Sequence, residues 1–102
     1  MTYAPRIILH APPWDCLALE HFVEDCIRDG VVLICVVGED CSRVEDVIDE
    51  LVVGDGTDDT RFILTSFHEG QTIEEVRTFA EMCCADEVEP GSPVQEVTLS
   101  IY

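Results

Sequence analysis

Three short segments, 6–10, 31–37 and 61–65, are apolar through their centres, and each is followed by a stretch whose apolar residues recur at helical spacing. An apolar strand without polar alternation is covered on both faces. In a chain that returns through helices this means a parallel sheet with helices packed above and below it. At 102 residues there is room for one domain and one core, spanning 1–102. The hydrophobic fraction of 47% and mean hydropathy of +0.18 supply that core.

The local patterns predict the elements. A strand over 7–10 leads through Pro12-Pro13 into a helix over 15–29, whose Leu19, Phe22, Val23, Cys26 and Ile27 share one face. Asp15 is placed to cap its start, and Gly30 suits the left-handed position that ends it. The second strand, 31–37, is the most apolar segment. Ser42-Arg43-Val44-Glu45 then has capping-box spacing and predicts a helix over 42–53 with a stripe of Val44, Val47, Ile48, Leu51 and Val52. A third strand over 62–66 precedes Thr72-Ile73-Glu74-Glu75, which has the same capping-box spacing. It opens a helix over 72–85 expected to bury Ile73, Val76, Phe79, Ala80 and Cys83. Finally Val97, Leu99 and Ile101 alternate with Glu96, Thr98 and Ser100, the period of a half-exposed edge strand.

Four strands and three right-handed crossovers leave few arrangements of this α/β, three-layer αβα domain with its mainly parallel sheet. Order 2-1-3-4, as in flavodoxin-like and Rossmann-like sheets, is favoured, with 3-2-1-4 as the alternative. The favoured order places 31–37 at an exposed edge, a pairing hazard that a symmetric second copy would remove, so a homodimer is expected.

Charge narrows the partners. Twenty-two Asp and Glu against five Arg and no Lys give a formal net charge of −17. Nucleic acid and anionic membrane surfaces both need clustered cations, and the five arginines are scattered along the chain. A basic protein is the partner that an acidic surface suits. The absence of lysine removes Schiff-base chemistry and a P-loop. No segment has the length of a membrane span and none reads as a leader, so a cytoplasmic location is expected. In that compartment the six cysteines are read as free thiols, with Cys26 and Cys35 as small core residues.

Ligands of open α/β sheets bind beyond the carboxyl ends of the strands, where strand order reverses. The residues expected on that rim are His10, Trp14, Asp15, Glu39, Asp40, Cys41, Ser66, His68 and Glu69. The loop His10-Ala11-Pro12-Pro13-Trp14-Asp15 has no glycine and carries a carboxylate where a phosphate would sit, so no nucleotide, flavin or other cofactor is predicted. His10, Asp15 and His68 carry donors a metal could use, although no H-x-x-x-H or C-x-x-C pair is present. Cys16 and Cys41 lie near helix starts, which favours a thiolate, but each adjoins carboxylates that oppose it. Trp14-Asp15-Cys16-Leu17 resembles a short stretch of barstar-like ribonuclease inhibitors, small acidic α/β proteins that block a basic active site. The flanking sequence and element order differ, so no residue role carries over. The sequence therefore favours a protein-interaction or regulatory module. The alternative is a small enzyme or metal-binding protein with its site at the carboxyl ends of strands one to three.

Overall fold

The structure, a computed structural model, describes residues 2–11, 16–54, 56, 62–83 and 93–99, the side chain of Cys16 excepted. The elements alternate as β1 (Arg6–Ala11), α1 (Cys16–Asp29), β2 (Leu33–Gly38), α2 (Cys41–Val53), β3 (Leu64–His68), α3 (Ile73–Met82) and β4 (Val94–Thr98). All strands pair in parallel, in the order β3-β2-β1-β4. The α/β sandwich is as expected, but its order is the alternative, 3-2-1-4, and not the favoured 2-1-3-4. The reason is burial: Leu33 to Val37 are all buried, so the backbone of β2 must find partners on both sides. An edge position would have left half of those groups unpaired. The edges fall instead to β3 and β4, whose side chains are half-buried or exposed at most positions.

Right-handed crossovers distribute the helices. β1→β2→β3 moves one way along the sheet and carries α1 and α2 on one face. β3→β4 moves back across it and carries α3 on the other. The core is correspondingly unequal. On the side of α1 and α2, Ile7, Leu9, Ile34 and Val36 meet Leu19, Phe22, Val23, Cys26, Val44, Ile48 and Val52. On the side of α3, Ile8, Leu33, Cys35 and Val37 meet Val76 and Ala80 among the described residues, with Val32, Ile73, Cys83 and Val94 at the margin. Arg6 lies at the amino end of β1 with 4% of its surface exposed, and its buried Nε finds no partner among the described residues.

Helix ends follow the chain in two cases and depart from it in one. Gly30 has φ +80° and closes α1 with Gly30 N–H to Ile27 O and Val31 N–H to Cys26 O, the paired bonds of a Schellman end. Thr72 and Glu75 form the expected capping box, each side chain bonding the other's backbone N–H. The box expected at Ser42–Glu45 is absent, because α2 starts one residue earlier behind Asp40, which sits at φ 61° without a side-chain cap bond. Glu45 is bound elsewhere, accepting a 2.5 Å hydrogen bond from Thr65 Oγ1 on β3. Boundaries also moved. β3 begins and ends two residues later than 62–66, since Ile63 enters the core ahead of the strand while Phe62 stays exposed. β4 runs over Val94–Thr98, beginning two residues ahead of the alternation that announced it.

Gly38 ends β2 opposite Ala11 at φ +100°, and a Cβ placed there would lie 1.9 Å from Ala11 O. Gly30 shares the left-handed φ but faces open space. Gly38→Ala should therefore cost about 2 kcal/mol or more, and clearly more than Gly30→Ala. Chemical denaturation of both variants checks this, and equal losses would remove the close approach as the cause.

Candidate functional site

The carboxyl rim does not assemble as one site. His10 and His68 flank Val37 in adjacent register, on the face covered by α3, and are therefore two strand spacings, about 10 Å, apart at their Cα atoms. Each turns to its own partners. His10 Nε2 lies 3.0 Å from Glu96 Oε1 of β4, and Arg77 of α3 binds the other oxygen of that carboxylate. Arg77 Nη1 also donates to Val94 O at 3.4 Å. The hydrogen bonds from His10 and then Arg77 hold the Glu96 carboxyl below its ordinary range. Glu96 and Arg77 were not read as site residues; their meeting with His10 depends on β4 lying beside β1, which alternation alone does not disclose.

On the other side of Val37, Gln71 Oε1 lies 2.7 Å from His68 Nδ1 and Ser66 Oγ lies 2.9 Å from Nε2. An amide oxygen can only accept, so Nδ1 carries the proton and Nε2 accepts from the Ser66 hydroxyl. The ring of Phe79 stands edge-on to the imidazole, with centroids 4.8 Å apart. Next to Ser66 is the thiol of Cys35, whose pKa burial pushes up to about 11, with the neighbouring Ser66 side chain opposing the rise. This is an ordering of hydroxyl, imidazole and amide that could activate a serine. At the start of α3 the N–H groups of Thr72 and Glu75 are taken by the capping box.

The remaining rim residues are dispersed. Glu39, Asp40 and Glu69 are exposed. Cys41 is not on the rim: it is 1% exposed and packs in the core with Val44 and Ile48, because α2 begins at this residue and turns it onto its apolar stripe. Trp14 and Asp15 lie outside the described residues, as does the side chain of Cys16. Among the described residues no three His, Cys, Asp or Glu side chains are grouped to hold a metal, and His10 and His68 stand on either side of Val37 with separate partners. A depression of about 200 Å³ lies at the opposite, amino end of the sheet, lined by Tyr3, Asp25, Arg28, Asp29 and Gln95. Its polar groups tie down the leading segment: Asp29 accepts from Tyr3 N–H and Gln95 from Ala4 N–H.

What the rim lacks in convergence the β3 edge supplies in open surface. α3 lies over β1 and β2 and holds β4 through Arg77. Opposite Arg77 on the helix, Phe79 reaches toward β3, with Met82 one turn further on the same side. Phe79 was expected in the core, but at the sheet margin it remains 40% exposed. Leu64 on the α3-side face of β3 is 40% exposed, Phe67 on the opposite face 48% and Met82 75%. Most scattered surface apolar residues need no explanation, whereas a contiguous set along a sheet edge marks a contact surface.

A family model for a domain of unknown function, DUF7684, matches residues 6–99, covering every element of the fold. The chain belongs to the DUF7684 family. No curated protein and no solved structure matches this DUF7684 chain. No helix among its described residues is long and apolar enough to cross a membrane.

The hydrogen-bond chain through His68 makes a checkable statement. In mildly alkaline solution the imidazole nitrogens should show the Nδ1–H tautomer in a ¹H–¹⁵N correlation spectrum, and Gln71→Ala should abolish that preference. An Nε2–H tautomer in the unaltered protein would reverse the direction of every bond in the chain.

Proposed function

We propose that this DUF7684 chain is a protein-interaction module that engages a basic partner protein along the edge formed by β3 and the adjoining side of α3. The observation that carries the reading is the exposure, among the described residues, of Leu64 and Phe67 on β3 and of Phe79 and Met82 on the adjoining helix. The formal charge of −17 supports a basic partner and opposes nucleic acid and anionic membranes. The cytoplasm is the compartment proposed, and the free thiols of Cys26, Cys35 and Cys41 suit it. A homodimer through β2 loses its basis, because β2 is internal. Self-association is carried forward only as a competitor for the β3 edge, against the repulsion of two chains of −17 each. A second reading, a small enzyme working at the carboxyl ends of β1 to β3, is favoured by the Ser66–His68–Gln71 arrangement alone.

The test is a paired substitution, Leu64→Lys with Met82→Lys. Lysine is tolerated on edge strands and at exposed helix positions, so the melting temperature should move by only a few degrees. Affinity for a partner purified from the host should fall at least tenfold, about 1.4 kcal/mol. Unchanged affinity would move the contact surface elsewhere.

A further inference from the structure

We propose that the partner completes the sheet: an extended segment adds to β3 as a fifth strand, with apolar side chains toward α3 alternating with Lys or Arg toward α2. This rests on the interaction reading and specifies its occupant. The backbone comes first. Leu64 N–H bonds Val32 O, so in this parallel register Leu64, Ser66 and His68 direct their backbone groups to β2. Thr65 and Phe67, being of opposite parity, direct theirs outward. β3 contains no proline and no charged residue to guard that edge.

The other edge is treated differently. β4 follows Pro93, its Gln95 accepts from Ala4 N–H, and its Glu96 is held by His10 and Arg77. Among the described residues β3 is thus the edge strand with neither a proline at its start nor a carboxylate within it.

Side chains then set the pattern of the added strand. Its residues on the α3 side would lie beside Leu64 and Ser66, under the overhang of Phe79 and Met82, where an apolar side chain removes the most surface from water. Those on the α2 side would lie beside Thr65, whose hydroxyl is already bound to Glu45. Asp49 follows Glu45 by one helical turn, and Glu69 is exposed directly beyond β3. No described arginine shares these positions: Arg6 is buried in β1, Arg28 is on α1, Arg77 is bound to Glu96, and Arg43 is on another side of α2 from Glu45 and Asp49. On the α2 side the open edge is thus acidic around Thr65, with the exposed ring of Phe67 beside it as a surface an arginine can stack on, and on the α3 side it is apolar at Leu64, Phe79 and Met82. A second copy would bring the same carboxylates against themselves, and a basic strand would not.

The probe is a blocked nonapeptide of alternating valine and arginine, made also with every valine nitrogen methylated, with every arginine nitrogen methylated, and with the same residues in two blocks. Strand addition uses the N–H groups of one parity only. One methylated isomer should lose binding at least tenfold and the other should keep it, and the block peptide should bind at least tenfold more weakly than the alternating one. Phe67→Pro removes an outward N–H and leaves the β2 ladder intact, so it should weaken binding to the same extent with an unchanged circular dichroism spectrum. Absence of peptide binding, equal binding of both methylated isomers, or equal binding of the block peptide would overturn strand addition, using the unaltered protein in every case. A dimer in sedimentation that Phe67→Pro dissociates would overturn it in favour of a second copy. If Leu64→Lys with Met82→Lys releases the partner while both methylated isomers bind alike, the contact surface stands and the added strand falls.

Discussion

The backbone of β2 has no access to water, and most of this fold follows from satisfying it. Its buried residues must pair on both sides, which fixes β1 and β3 as its neighbours and leaves β4 to pair with the far side of β1. The handedness of the crossovers then puts two helices on one face and one on the other. That helix lies over the central strands and binds β4 through Arg77, so among the described residues it reaches β3 chiefly through the ring of Phe79 and leaves Leu64 exposed. The exposed apolar side chains along β3 thus trace to the same demand for hydrogen bonds that orders the sheet. Covering them from within would take a second helix on that face.

The sequence disclosed what short-range chemistry decides. The apolar stripes of α1 and α2, the Gly30 ending and the Thr72–Glu75 box each depend on residues a few positions apart, and each stands in the structure. The Ser42–Glu45 box failed because Glu45 has a stronger claim on it from Thr65, a residue twenty positions away. β3 was misplaced for a related reason. A strand with one face open needs no apolar run, so β3 continues past Ser66 to His68, whereas the apolar Phe62 and Ile63 lie ahead of it.

The candidate site was legible only as a region. His10, Ser66 and His68 were all identified, yet strand order decides that His10 faces Glu96 while His68 faces Ser66 and Gln71. The order was the one topological feature left between two alternatives, and periodicity carries no information about it. Cys41 was assigned to the rim because it follows the second strand; α2 begins at this residue and turns it inward. The surface at β3 could not be read from composition, since Leu64, Phe79 and Met82 look like core residues until the helix above them is placed.

The pairing of β1 with β4 also has a meaning in time. β1, α1 and β2 are contiguous and can assemble from local contacts, whereas the bond from Ala4 N–H to Gln95 joins residues 91 positions apart. Closing so long a loop carries its entropic cost before any contact repays it. β1 thus begins as an edge strand and becomes internal only when the last strand docks. Until then its outer side is open to any other strand, and the ties from Ala4 to Gln95 and from His10 to Glu96 act as latches on a folding step that comes late and is the first to reverse.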